Sequence, residues 1–574
     1  MNHFTTHQSF FLVPLSTYDE EFKKIDQFLK ILDKSNIDSI IESSYSKCSE
    51  SGRKSYNPYH LFSMISYCFA KSRSSLREME DMCRYDIRVM YLMDNQTPSH
   101  KTIGEFINEV IVPNHHLLFA RITDTIIEEY NLDISDQYLD GTKLEANANK
   151  YKFVWKPVKY HKSLDKKIRL YLDKIGIYIN QKEYIKSYQF YNYINDYANL
   201  KNINIETIPS GRGKKLSLEQ RLCKEGYKYL LKLIEYEEKE SICGDNRNSY
   251  YKTDHDATAM ALKTDYYSGH GTNMHAAYNV QILVSSGIIT YYDIFQDRTD
   301  YYTLIPMLDG YYKYYGKYPK NLCADSGYGI YSNYQYLDKH NIGNYVKFLA
   351  WNGESSGKNP QKFFSDGNTF LCLNKCAGIK IPFDKNHHQR YKDGILYQFE
   401  GCEECGYAYK CKEHLKNKSG NSRTMELIPK YEFYKNEARI NLLSRKGIEI
   451  RVNRSIQVEG TFGQIKENMD YIRIRRRGIN KVVTEIMLVC LGRNIRKIFA
   501  MIKSKKTSDK YWIANLNLEA ETFKTVKLKN KKAVTKLIHF VTAPFLIIFT
   551  SDFFILISCN DSFFTEFSYL FISI

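Results

Sequence analysis

Apolar residues recur at helical spacing early in the chain. In YNPYHLFSMISYCFAKSRSSLREMEDMCR they fall at Leu61, Met64, Ile65 and Cys68, then at Leu76, Met79 and Met82, close to the i, i+3, i+4, i+7 rhythm of an amphipathic helix. Pro58 suits a helix start and Ser72–Ser75 a turn, while Pro98 and Ser99 with Thr102 mark the entry to another helix carrying Ile103 and Phe106. The pattern predicts an all-helical N-terminal domain over residues 1–125. Short helices meeting at sharp, basic turns suit docking on DNA and dimerisation equally.

The period then changes. QYLDGTKLEA reads as a strand that carries Asp140 into a turn at Gly141. A charged, aromatic stretch over about 161–250, with DKKIRLYLDKIG and SLEQRLCKEGYKYLLKLIEYEEKE on either side of SGRGKK, predicts a helical insertion. NMHAAYNVQILVSSGIITYYDIF holds two β-rich runs around Ser285-Ser286-Gly287, a hairpin signal. Asp300 reads as the N-cap of an amphipathic helix carrying Leu304, Ile305 and Leu308. NLCADSG is a short buried strand ending at Asp325, followed by a helix and the strand-like NYVKFL. This succession predicts an α/β fold: a ribonuclease-H-like mixed-sheet core with a helical insertion, preceded by the all-helical domain. The first part of the core spans 130–350, a cysteine-bearing insertion 351–437, and a basic helical part at 438–505 completes the core. Residues 506–574 form a tail to which no role is assigned. From Leu537 it is mostly Phe, Ile, Leu and Ser, interrupted by Pro544 and Asp552, and its run Phe553–Cys559 is far short of a spanning helix.

Charge adds the first functional pointer. The chain of 574 residues carries 82 Lys+Arg against 65 Asp+Glu, a formal net charge of +17, which favours a polyanionic partner. Solubility together with the codon bias of an AT-rich genome, which the wealth of Lys, Asn, Ile and Tyr suggests, is the alternative reading. Thirteen cysteines in so long a chain do not read as a secreted disulfide framework. The opening MNHFTTHQSFFLVPLSTYDEEFKK lacks a basic lead, and its apolar run is broken by Pro14, so a cytoplasmic protein is expected.

Three carboxylates then stand out. Asp140 and Asp325 each precede a glycine-bearing turn at a strand end, where turn capping is the commoner role of a lone aspartate. Glu459 lies in RSIQVEGTFGQIKENM, a helix expected to pack Ile456, Phe462 and Ile465 inward. Seven residues on, Lys466 falls on nearly the same face. Together, two aspartates on neighbouring strands and a helical glutamate can hold two Mg²⁺ or Mn²⁺ ions about 3.5–4 Å apart. Glu145, Asp265, Asp293, Asp297 and Asp300 are nearby competitors.

The motifs GRKSYNPYHLFSMISYCFAKSRSSLREMEDMCR, TPSHKTIGEF, YLDGTKLEANANKYKFVWK, TDHDATAM, AYNVQ, ADSGYG and RSIQVEGTFGQIKENMDYIRIRRRG lie in order over roughly residues 50–500. In these the chain resembles the DDE transposases of bacterial insertion sequences, most closely the branch numbered eleven-eighty-two. The resemblance implies metal-binding catalytic roles for Asp140, Asp325 and Glu459, and phosphate-gripping roles for Arg454 and Lys466. It also implies double-stranded DNA as partner (terminal repeats and target), a homodimer in the DNA complex, and association with the nucleoid. The broader group places an arginine four residues before the glutamate, whereas here Ser455 stands there and Arg454 is one position further back. Asn57 and Ser99 also depart from the polar residues expected at their positions.

Two further clusters carry chemistry. Cys402 and Cys405 form C-x2-C, with Cys411 and His414 following and Cys372 and Cys376 upstream, a donor set for a structural zinc ion; reduced cysteines in a loop are the alternative. Arg473, Arg475, Arg476 and Arg477 follow the glutamate helix, where such a cluster would position a phosphate backbone. The function expected is DNA cleavage at element ends and strand transfer into target DNA. A catalytically inactive DNA-binding relative and a related hydrolytic nuclease are the competing readings.

Overall fold

The computed structural model describes residues 19–45, 55–180, 182–209, 215–245, 247–262, 273–356, 361, 363–365, 369–384, 388–412 and 421–504, together with strands in the C-terminal region. The chain divides into two units, Met1–Ala514 and Asn515–Ile574. The described part of the second unit is an antiparallel sheet in which Phe553–Ser558 pairs with both Phe545–Phe549 and Phe571–Ser573. No helix among the described residues is long and apolar enough to cross a membrane.

The first unit opens with short helices whose caps explain their boundaries. Asn57 accepts hydrogen bonds from Tyr59 and His60 N–H and so starts the helix Pro58–Ala70. Ser75 and Glu78 form a capping box at Leu76–Tyr85, and Ser99 caps His100–Phe106. The two departures noted at Asn57 and Ser99 are thus both good N-caps. The long helix Ile479–Ser504 packs on Pro58–Ala70. The crossing is tight at Gly492, where a Cβ would stand 2.7 Å from the Phe69 carbonyl carbon.

The centre is a six-stranded mixed sheet. Its strands are β1 (Asp136–Glu145), β2 (Thr258–Ala261), β3 (Met274–Ser285), β4 (Ile288–Phe295), β5 (Asn321–Ala324) and β6 (Gly343–Val346). β3 lies antiparallel between β1 and an edge shared by β2 and β4, while β5 runs parallel to β1 and β6 parallel to β5. The β3–β4 hairpin closes through Ser286 (φ 48°) and Gly287 (φ 77°), the left-handed pair of a two-residue turn. β3 is buried along nearly its whole length, which suits its Val, Ile, Leu and Tyr content. One continuous core runs from the N-terminal helices through this sheet to Met501.

Two satellites have cores of their own. Helices Val158–Lys174, Ser187–Leu200 and Leu218–Cys243 bury Leu164, Ile168, Tyr171, Phe190, Ile194 and Leu233 among themselves. A two-stranded clasp, Phe153–Trp155 against Ser249–Tyr251, closes the base of this insertion. Most of SGRGKK lies outside the described residues. A second, smaller cluster of Phe363, Phe370, Tyr397, Phe399 and Leu427 belongs to the cysteine-bearing segment.

Candidate active site

Asp140 sits in the middle of β1, not at its end. The strand continues through Gly141 to Glu145, so the expected turn at Gly141 is absent. Gly141 instead admits its cross-strand partner Gln281, whose side-chain nitrogen would lie 1.9 Å from a Cβ there. What ends at this point is the neighbour: Leu139 pairs with Ala324, the last residue of β5, and Asp325 follows it. The two aspartates therefore leave adjacent parallel strands at the same level.

Glu459 reaches the same place through an irregular helix. Arg445–Arg454 is α-helical, Ser455–Glu459 makes a π turn, Gly460–Gly463 is α-helical, and Gln464–Asn468 makes a second π turn. A π turn brings residue i over i+5 in place of i+4, so Arg454 faces Glu459 although it stands one position further back than the broader group places its arginine. The same widened turns revise the packing expected here. Ile456 is 50% exposed, while Val458, Phe462 and Ile465 are buried.

Arg454 is the hub. Its Nη1 lies 3.1 Å from Asp140 Oδ2 and its Nη2 3.2 Å from Glu459 Oε1. The Arg454 side chain is 8% exposed, against 54% for Glu459. Although burial opposes its charge, Asp140, Asp325 and Glu459 together hold its pKa above the usual value. Burial pushes the Asp140 carboxyl up, with Arg454 and the Gly141 N–H pulling it back and Asp325 and Asp300 adding to the rise. Lys347 Nζ stands 3.7 Å from Asp325, and Lys466 donates to Thr142 on β1 at 2.6 Å.

Asp300 is not the N-cap expected of it; Thr303 occupies that position. The Asp300 side chain turns to the sheet, where Oδ1 accepts from Asn279 and Gln281 at 2.8 Å each. Gln281 also accepts from the Tyr328 hydroxyl. Asp300 Oδ2 lies near Gly327, in the turn just beyond Asp325. A fourth carboxylate thus borders the site, held by two buried amides of the AYNVQ motif. Of the other competitors, Glu145 pairs with Arg473 at 3.7 Å, burial lifts Asp293 to about 6 and raises Asp297, and Asp265 lies outside the described residues.

The arginine turn has its own scaffold. Buried Glu485 accepts from the Tyr471 hydroxyl at 2.8 Å and from the backbone N–H groups of Arg475 and Arg476. Asp254 and Asp256, from TDHDATAM, receive the N–H groups of Gly478 and Ile479. The cluster splits as a result: Arg473, Arg475 and Arg477 are exposed, whereas Arg476 is half-buried and reaches Asn108. Cys372, Cys376, Cys402, Cys405 and Cys411 line one cavity; His414 lies outside the described residues.

Among the described residues, no three His, Cys, Asp or Glu side chains already surround one point as metal ligands. The chemistry of the acidic group still fits a hard divalent cation. Its donors are carboxylate oxygens, and their negative charge converges on the place where the Arg454 guanidinium lies.

The chain matches the family model of a transposase DDE domain over residues 375–499, the segment that holds Arg454, Glu459, Lys466 and the arginine turn. It matches a second transposase domain, DUF772, over residues 16–109. No curated protein and no solved structure matches it. DDE transposases generally use a divalent metal. Matched in both its N-terminal helices and its glutamate-bearing segment, these two transposase domains support a DDE-type insertion-sequence transposase.

Proposed function

We propose that the chain cleaves DNA at the ends of its element and joins the freed ends to target DNA, with Asp140, Asp325 and Glu459 as its catalytic carboxylates. The observation that carries this reading is the Arg454 bridge between Asp140 and Glu459, beside an Asp325 that leaves the neighbouring strand at the same level. An antiparallel β1–β3–β4 set extended by two parallel strands supports a ribonuclease-H-like core. The YLDGTKLEANANKYKFVWK and RSIQVEGTFGQIKENM stretches support the branch numbered eleven-eighty-two.

Asp140, Asp325 and Glu459 are the residues that would hold Mg²⁺ or Mn²⁺; the bound ions make an attacking oxygen more acidic and stabilise the leaving oxygen. Arg454 offsets the crowded negative charge and fixes the Asp140 and Glu459 carboxylates. Lys466, beside Thr142, offers a cation to a phosphate of the transposon end. Arg473, Arg475 and Arg477 hold the backbone further along, Arg476 braces the turn against Asn108, and the N-terminal helices are assigned to DNA docking. In the reaction itself, water attacks the phosphodiester at the end, leaving a 5′-phosphate on one side and a 3′-hydroxyl on the other. That hydroxyl then attacks a target phosphodiester, forming a new P–O bond as the target's own 3′-hydroxyl leaves. The partner is double-stranded DNA, bound by two copies of the chain.

The test uses labelled DNA carrying the ends of the encoding element, with Mg²⁺ or Mn²⁺. The expected result is cleavage and joining by the wild type, and binding without cleavage by Asp325→Asn. Binding without cleavage by the wild type would support the inactive DNA-binding reading. Cleavage without joining would support a hydrolytic nuclease.

A further inference from the structure

The described residues of 363–427 gather around a small core of their own. They comprise the strand pair Phe363–Ser365 and Phe370–Cys372, and a sheet in which Ile395–Phe399 lies between Ile379–Ile381 and Arg423–Leu427. Their apolar cluster is Phe363, Phe370, Tyr397, Phe399 and Leu427, with Leu396 also buried. Burying these few side chains contributes little against the conformational entropy of ordering the segment. Small folds with so little core often carry a covalent or metal staple.

Directly beside that core, Cys372, Cys376, Cys402, Cys405 and Cys411 line one cavity. They come from three separate pieces of backbone, each held in place. Cys372 N–H donates to the Cys376 carbonyl at 3.0 Å, Cys402 N–H to Asn421 at 2.8 Å, and Ala408 N–H to Cys405 at 2.9 Å. The Cys376 sulfur lies against Gly401, the left-handed residue (φ 74°) that turns the chain into Cys402. Cys376, Cys402, Cys405 and Cys411 line that cavity, whereas Cys372, which also borders it, packs against the apolar core that includes Phe363, Phe370 and Phe399. Two cations face the group: Arg423 donates to Cys411 Sγ, and buried Lys412 lies near Cys402.

We propose that Cys376, Cys402, Cys405 and Cys411 bind one zinc ion as a tetrahedral tetrathiolate, with Cys372 outside the ligand set. Four thiols lose four protons on binding, and the resulting centre carries a charge of −2, which Arg423 and Lys412 offset. Among the described residues these sulfurs do not already surround a common point, so binding draws them together to Zn–S distances of about 2.3 Å. The ion then joins the 370–381 hairpin region to the segment that leads through Arg423–Leu427 to the Glu459 helix. This inference does not rest on the catalytic reading.

The test is elemental analysis of the purified full-length chain and its variants. One zinc per chain is expected in the wild type and in Cys372→Ser, with a loss of tenfold or more in Cys376→Ser and Cys405→Ser. Substituting Co²⁺ into the wild type should give the intense absorption of a tetrahedral thiolate site, a readout that needs no variant to fold. Chelation should open residues 363–427 to protease while the central sheet stays protected. A folded wild type without zinc, or thiol mapping that finds a Cys402–Cys405 disulfide, would overturn the proposal. Equal zinc loss in Cys372→Ser and Cys376→Ser would overturn the ligand assignment.

Discussion

Arg454 and Asp140, 314 positions apart in sequence, meet in a 3.1 Å ion pair inside the protein. Breaking a buried pair from one side strands the other charge, at a cost of about 3–5 kcal/mol. Arg454→Met should therefore lower unfolding stability by about 3 kcal/mol or more in urea titrations. Adding Asp140→Asn to that variant should recover part of the loss. A single variant as stable as the wild type would mean that the pair is not formed in solution.

The arginine turn should divide by exposure. Arg475→Ala should weaken binding to non-specific duplex DNA and reduce the salt slope by about one unit, the signature of one lost phosphate contact. Arg476, half-buried against Asn108, should change the slope less and the thermal midpoint more. Fluorescence titrations at several salt concentrations, beside melting curves, compare the two. Equal slopes for both variants would refute the division.

Acid should destabilise the protein through two histidines. Burial holds His115 down to about 4 and His116 to about 3, below the ordinary 6.5. The native state thus refuses protons that the unfolded chain accepts. The stability this confers is full above about pH 6.5 and is lost as pH falls from there towards 4. His116→Phe keeps the ring stacks on Tyr291 and Tyr292 and removes one of the two protonations. Its melting temperature should fall less steeply than that of the wild type between about pH 7 and 5, and parallel curves would remove His116 from the account.

Gly141→Ala should drive a Cβ into Gln281 and disturb the bonds that hold Asp300. Overpacking of this kind costs about 1–3 kcal/mol. The loss should shrink when Gln281→Ala is added, so the two changes should be far from additive in denaturant unfolding. Strict additivity would mean that the strand simply moves aside.

The parts legible in the sequence were those with local causes. Alternation and turn residues mark the β3–β4 hairpin, and Asp325 is visible at a strand end because Ser326 and Gly327 follow it at once. Asp140 was placed correctly in a strand but not at its true position, because the level at which it emerges is set by where β5 stops, about 185 residues away. The helix around Glu459 misled through its π turns: α-helical spacing turns Ile456 inward and separates Arg454 from the glutamate, and the structure does neither. Asp300 looked like a cap because a helix follows it, whereas its side chain answers to Asn279 and Gln281 on another strand. Glu485, Asp254 and Asp256 leave no periodic trace, since each accepts from backbone N–H groups within 475–479, a stretch far off in the sequence from the two aspartates.

The clasp at the base of the helical insertion has a consequence for how such chains can vary. Phe153 pairs with Tyr251 and Trp155 with Ser249, so the chain leaves and re-enters its host within one strand spacing of about 5 Å. The described helices between these points pack around their own apolar residues. Lengthening a closed loop costs little entropy, roughly 0.6 kcal/mol for each doubling. Relatives are therefore free to trade this segment for one of another size or shape, and an engineer can graft a foreign domain between Trp155 and Ser249, without shifting the register of the strands that carry Asp140 and Asp325.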